Sequence, residues 1–129
     1  ITESMLIEND NVAELIEKLR DLGIQMHMDD FGTGYSSLSY LHRFPLDVLK
    51  IDRSFVSIMQ ESSQKKEIVR IIVDLAHNLG MGVTAEGVET PEHLELLRGL
   101  GCEYGQGYFF SRPVPPKEIE TLLWADPVW

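Results

Sequence analysis

The sequence predicts an α/β fold in which parallel strands alternate with helices, and three observations carry that expectation. Apolar stripes at helical spacing close three times on a Leu-Gly pair, at Leu22-Gly23, Leu79-Gly80 and Leu100-Gly101, and each time the chain passes into a short apolar run. The candidate strand ends near Asp30, Ile51, Glu86 and Phe110 are separated by about one βα unit each, which favours right-handed helical crossovers between parallel strands. Polar groups recur where these runs finish, at Asp29-Asp30, Lys50, Glu86 and Gln106, and polar groups at successive strand ends suggest one shared site.

The elements follow in order. Val12, Leu15, Ile16 and Leu19 mark a helix that Leu22-Gly23 ends, and residues 24–28 then alternate as a strand. A short helix is expected at 37–42, a loop at Phe44-Pro45 and a strand at 47–51. The polar stretch 60–66 reads as a connector that lengthens a loop. Ile68, Ile71, Ile72 and Leu75 form the next helical stripe, and 81–85 the next strand. Thr90-Pro91 looks like an N-cap followed by proline at the first helical position; the helix through Leu94 and Leu97 leads to a last strand at 104–110.

The segment Met28-Asp29-Asp30-Phe31-Gly32-Thr33-Gly34-Tyr35-Ser36-Ser37 sets two adjacent carboxylates where an apolar strand breaks into a glycine-rich loop. Neighbouring strand residues point to opposite faces, but where the backbone turns at the last pleat both could reach one hard cation or bridge two. A capped turn would use the same residues. Lys50 could equally be a surface lysine with a snorkelling stem, Glu86 a solvated acid and Gln106 a turn residue between glycines. His27, His42, His77 and His93 lack ligand-like spacing and are expected to be structural or exposed.

An open doubly wound sheet and a (β/α)8 barrel both place sites at the carboxyl ends of strands. Phosphate fingerprints argue against the first, because Gly32-Thr33-Gly34 and Gly105-Gln106-Gly107 lack the third glycine of a dinucleotide loop and the Lys-Ser/Thr of a P-loop. Asp30-Phe31-Gly32 echoes the kinase metal-binding triplet, but no glycine-rich loop or catalytic loop precedes it.

With 129 residues, 43% hydrophobic and 25% charged, the chain is long enough for one substantial core. Its formal charge of -10 disfavours nonspecific binding to duplex nucleic acid, which relies on Lys and Arg neutralising phosphates. Cys102 stands alone, so no intrachain disulfide can form; a reducing cytoplasm is the expected compartment and a buried thiol the expected state. No run approaches the roughly 20 apolar residues of a membrane-spanning helix. The opening Ile-Thr-Glu-Ser reads as the end of a strand, so a fragment of a longer protein is expected.

Four motifs then come in order: Asp29-Asp30-Phe31-Gly32-Thr33-Gly34-Tyr35-Ser36-Ser37-Leu38, Leu49-Lys50-Ile51-Asp52, Ala85-Glu86-Gly87-Val88-Glu89, and Gln106-Gly107-Tyr108-Phe109-Phe110-Ser111-Arg112-Pro113. Together they resemble the successive signatures of the EAL domain, the bacterial cyclic-di-GMP phosphodiesterase, and span essentially the whole chain. The resemblance implies the C-terminal half of a TIM-like (β/α)8 barrel, with residues 1–129 a single partial EAL domain whose N-terminal half is absent. It implies a metal-dependent hydrolase that opens cyclic-di-GMP to 5′-pGpG. Asp29 would bridge two Mg2+ or Mn2+ ions and Asp30 would bind the second. Lys50 would contact the attacking water or the scissile phosphate, Glu86 would sit beside the second metal and its water, and Gln106 would help hold that water network. Glu3 matches the second acid of a Glu-x-Thr-Glu motif that steadies the loop after Asp29, and Glu89 a position that supports the site.

The Glu-Ala-Leu signature and a later Asn are missing, and the first Glu of Glu-x-Thr-Glu would fall before Ile1. Those groups complete the first metal site in the family, so the two-metal site is incomplete and the fragment alone is expected to be inactive. Four strands would also leave two sheet edges open, which a lost half barrel or a second copy, as a homodimer or edge-paired fragment, would cover. Family resemblance implies sensory or diguanylate-cyclase domains in a parent, with a membrane anchor elsewhere in that parent left open. A noncatalytic cyclic-di-GMP receptor and a signalling or scaffold module are the alternative readings.

Overall fold

The computed structural model describes residues 1–2, 12–32, 38–125 and 127. Its strands are β1 (His27–Phe31), β2 (Val48–Ile51), β3 (Gly82–Glu86) and β4 (Tyr104–Gln106), and its helices are α1 (Val12–Asp21), α2 (Leu38–Arg43), α3 (Arg53–Ile58), α4 (Ser63–Asn78), α5 (Pro91–Gly99) and α6 (Pro116–Ala125). All neighbouring strand pairs are parallel, in the order β1-β2-β3-β4. Each strand therefore lies beside the next in sequence, as successive βα units place them.

Three helices end by the same chemistry. Gly23, Gly80 and Gly101 have φ of 80°, 75° and 86°. Each donates its N–H to the carbonyl three residues back, at Arg20, His77 and Arg98, while the residues after them, Ile24, Met81 and Cys102, reach back five to Leu19, Ala76 and Leu97. This is the Schellman closure, and the left-handed residue it needs is cheapest as glycine. At the other end of α5, Thr90 Oγ1 accepts the His93 N–H at 3.1 Å, with Pro91 at the first helical position.

One sheet face is the core. Met28, Leu49 and Val83 align across β1, β2 and β3, with Phe31, Ile51 and Ala85 in the next buried row. Ile16, Val56, Val69, Val73, Ala76 and Leu97 join them in one apolar cluster contributed by α1, α3, α4 and α5. The opposite face carries Lys50, Thr84, Glu86 and, on β4, Tyr104 and Gln106, none of which is buried. It is the face that a closed barrel would turn inward, and it ends in the polar strand tips.

Several boundaries differ from the sequence expectation, each for a local reason. The first strand begins at His27 rather than residue 24, because Asp47 Oδ2 accepts the Met26 N–H at 2.7 Å and ties the segment after α1 to the start of β2. Gly107 stops β4 at Gln106, short of residue 110. The chain turns there against Val88, whose carbonyl accepts the Phe109 N–H at 2.9 Å. The expected connector at 60–66 is largely helical: Ser62 caps α4 by accepting the Lys65 N–H at 3.2 Å. Helices α3 and α6 went unrecognised in the sequence. The first is only 6 residues long, and the second buries no side chain among its own residues. Ile1 and Thr2 run beside β1, the Ile1 carbonyl accepting the Asp29 N–H at 2.7 Å and Thr2 bridging Asp29 in parallel, as expected for the end of a strand.

Candidate metal centre

The acidic pair is presented by a break in strand pairing. Met28 pairs with Leu49 and Phe31 with Ile51, so the two residues Asp29 and Asp30 stand against the single residue Lys50. This is a β-bulge, and Asp30 absorbs it with φ of 54°, the left-handed conformation that aspartate tolerates better than most side chains. A regular strand would send adjacent carboxylates to opposite faces. Here carboxylate oxygens of Asp29, Asp30 and Glu86 all lie within 4.8 Å of one another.

Lys50 sits among them. Its ammonium donates to Asp29 Oδ1 at 2.9 Å and is ion-paired with Glu86. Its hydrogen bond to Lys50 is the main reason the Asp29 carboxyl is held below the ordinary carboxylate range; partial desolvation opposes it. For Lys50, partial burial pulls the pKa down, but the hydrogen bonds and charges of Glu86 and Asp29 outweigh it and the pKa rises. Lys50 is therefore a fixed cation and hydrogen-bond donor at neutral pH.

Gln106 pairs with Glu86 in strand register, which brings it to the same sheet end at the exposed edge. Glu89 is outside the carboxylate cluster; its Oε1 meets Arg53 Nη2 at 2.9 Å, and its N–H donates to His93 Nδ1 at 3.4 Å. Glu3 lies outside the described residues. The histidines act elsewhere: His93 is buried behind Glu89, and His77 Nε2 lies 2.8 Å from Glu103 Oε1 at the far end of β3. Cys102 is half-buried, and desolvation pushes its thiol up to about 11.

Sequence reasoning assigned no role to Asp52 or Arg53, which follow β2 directly. Asp52 caps α3, its Oδ1 accepting the Ser54 N–H at 2.9 Å. An aspartate after an apolar strand and ahead of a short helical stretch was the available signal.

Three carboxylates of the hard oxygen type, gathered at the carboxyl ends of parallel strands, fit a divalent cation, and the neighbouring Lys50 sets a positive charge beside that position. Fold and site thus define an α/β protein of the half TIM-like barrel type with a candidate divalent-metal centre at its strand ends. The EAL domain profile matches residues 1–113, and the chain belongs to the EAL family. It is 50% identical over 126 residues to the cyclic di-GMP phosphodiesterase NbdA of Pseudomonas aeruginosa, covering 97% of this chain and 16% of that protein. The crystal structure of the EAL domain of Mycobacterium smegmatis DcpA superposes with a TM-score of 0.91 at 40% identity, covering 99% of this chain and 58% of that one. Klebsiella pneumoniae BlrP1, solved with manganese and cyclic-di-GMP, gives a TM-score of 0.79 at 41% identity, covering 87% of this chain and 29% of that one. The chain spans about a sixth of the first two curated relatives it matches, 17% and 16% of their lengths. Among the described residues no helix is long and apolar enough to cross a membrane.

Proposed function

We infer that this chain supplies one side of the active site of a cyclic-di-GMP phosphodiesterase, within a single partial EAL domain. One observation carries the reading: Asp29, Asp30 and Glu86 converge around Lys50 at adjoining strand ends. In the hydrolysis, water adds to phosphorus, the bond from phosphorus to the 3′ oxygen breaks, and the 3′ oxygen leaves with a proton, opening the ring to 5′-pGpG. A pair of divalent cations, Mg2+ or Mn2+, would when bound lower the pKa of a water and offset phosphate charge.

Within the chain, Asp29 and Asp30 would hold the cations. Glu86, in contact with Lys50 and within the same oxygen cluster, would hold the second cation and accept a hydrogen bond from the attacking water. Protonated Lys50 would donate to a phosphate oxygen or to that water from its Nζ. It is poorly suited to act as a base, because the two carboxylates stabilise its charge. Gln106 would orient the water from the neighbouring strand, and Glu3 and Glu89 would steady the loops on either side. NbdA carries the phosphodiesterase name and BlrP1 was solved with the same dinucleotide, which supports this substrate.

The remaining ligands would come from the part of an EAL domain outside this chain, so residues 1–129 alone would hydrolyse cyclic-di-GMP negligibly. The rest of the barrel, or a second copy pairing at the edges of β1 and β4, would cover the open sheet, and sensory or diguanylate-cyclase modules would regulate it. The activity belongs in the cytoplasm, where the lone Cys102 stays reduced.

The test is hydrolysis of cyclic-di-GMP with Mg2+ or Mn2+ by the complete protein, by residues 1–129, and by the complete protein carrying Asp29→Asn. Turnover by the complete protein alone supports the reading. Binding without turnover in the complete protein would replace it with a receptor.

A further inference from the structure

The strand ends that carry Lys50 and Glu86 are joined twice. Lys50 meets Glu86, and three residues further along each segment Arg53 Nη2 meets Glu89 Oε1 at 2.9 Å. The second pair is more than an exposed ion pair. Gly87 has φ of +71°, and a Cβ built there would lie 2.3 Å from Arg53 Cγ, 2.8 Å from its Cβ and 3.0 Å from its Cδ, so the arginine stem lies flat on the Gly87 backbone. The segment from Gly87 to Glu89 is thereby gripped from the β2 side by stem and guanidinium together. From the β4 side it is held by backbone: Val88 donates its N–H to the Gln106 carbonyl at 3.1 Å, and a Cβ at Gly107 would fall 2.1 Å from the Val88 oxygen.

We propose that Arg53 is a positioning residue for the metal centre, fixing the segment after Glu86 by its stem on Gly87 and its ion pair with Glu89, and so setting where the Glu86 carboxylate stands relative to Lys50 and Asp29. The proposal rests on the phosphodiesterase reading for its consequence in turnover, but not for its consequence in metal binding. An exposed arginine-glutamate pair contributes little to global stability, so its loss would be felt at the site and hardly in melting. Supporting residues behind metal ligands commonly change affinity or activity by about 10- to 100-fold.

The experiment compares Arg53→Met, Arg53→Lys and Glu89→Gln with wild type in the complete protein, reading Mn2+ affinity by calorimetry, cyclic-di-GMP turnover and melting temperature. Glu89→Gln removes the ion pair while leaving the arginine stem on Gly87, which keeps the test decisive if Arg53→Met folds poorly. Expected are Mn2+ affinity and kcat about tenfold lower in Arg53→Met and Glu89→Gln, nearly unchanged melting, and recovery of most of both losses in Arg53→Lys. Wild-type Mn2+ affinity in Arg53→Met and Glu89→Gln, or a loss that Arg53→Lys fails to repair, overturns the proposal. A wild-type protein that binds Mn2+ but cleaves no cyclic-di-GMP refutes the phosphodiesterase reading alone, because Mn2+ affinity still decides the role of Arg53.

Discussion

Asp30 follows Asp29 directly in the strand, yet both carboxylates reach one oxygen cluster with Glu86, because the bulge opposite Lys50 gives Asp30 a φ of 54°. Two charges on consecutive residues are thus brought together by backbone conformation. The consequences can be measured in the intact EAL domain.

Asp29→Asn keeps the shape of the side chain and removes its charge. Cyclic-di-GMP turnover is expected to fall by more than about 100-fold, because a ligand carboxylate is lost and Lys50 is left with one acidic partner fewer. Initial rates by chromatographic detection of 5′-pGpG check this; a loss under tenfold would remove Asp29 from the metal site.

Lys50→Met separates metal binding from chemistry. Without the ammonium, Asp29 and Glu86 keep their charge and lose a competing cation, so Mn2+ affinity is expected to hold or rise. Turnover should drop about 100- to 1000-fold for want of a donor to the developing charge. Calorimetry and initial rates on the same preparation test it, and a parallel fall in both would assign Lys50 a structural role instead.

The backbone at Asp30 predicts a graded series. Asp30→Asn accepts the left-handed conformation and should leave melting nearly unchanged while weakening Mn2+ binding. Asp30→Val forces a β-branched residue into that conformation and is expected to cost about 1–3 kcal/mol of stability. Equal melting temperatures for the two variants would show that the bulge relaxes freely.

At Gly107 a Cβ would lie 2.1 Å from the Val88 oxygen, which no rotamer can relieve. Gly107→Ala should therefore displace the turn beside Gln106 and lower turnover by about tenfold or more, in keeping with the sensitivity of catalysis to ångström shifts. Full activity in this variant would mean that the Val88 junction yields without moving the site.

Cys102 supplies a pH dependence. Burial raises its thiol to about 11, so alkylation by iodoacetamide should be slow near neutrality and accelerate as the pH climbs toward that value. The linkage has a definite sign: the folded state holds the proton more tightly than the unfolded chain, whose ordinary value is 9.0. The stabilisation is complete below pH 9 and is lost as the pH rises toward 11. Rapid alkylation at neutral pH would show that the thiol is open to solvent.

Much of this was legible in the sequence because it is local. The three Leu-Gly closures, the Thr90-Pro91 start of α5 and the alternation of strand and helix depend on residues a few positions apart, where capping and periodicity act. The same local reasoning passed over α3, too short for a periodic stripe, and ran β4 on to residue 110, because the contact that stops it comes from Val88.

Sequence by itself determined which side chains stand at the strand ends: Asp29, Asp30, Lys50 and Glu86 fall within or after apolar runs that pack on helices, and Gln106 closes the exposed strand β4. Tertiary structure decided what those side chains do to one another. The bulge that turns Asp29 and Asp30 toward a common point exists only in the pairing of β1 with β2. The partners of Lys50 come from both flanking strands, Asp29 being 21 residues away in the chain. The grip of Arg53 on Gly87 and Glu89 is likewise a contact between two strand ends. The physical reason is range: caps and helical stripes are set by bonded neighbours, whereas a charge cluster is set by strand register, which the packing of the whole sheet against its helices imposes.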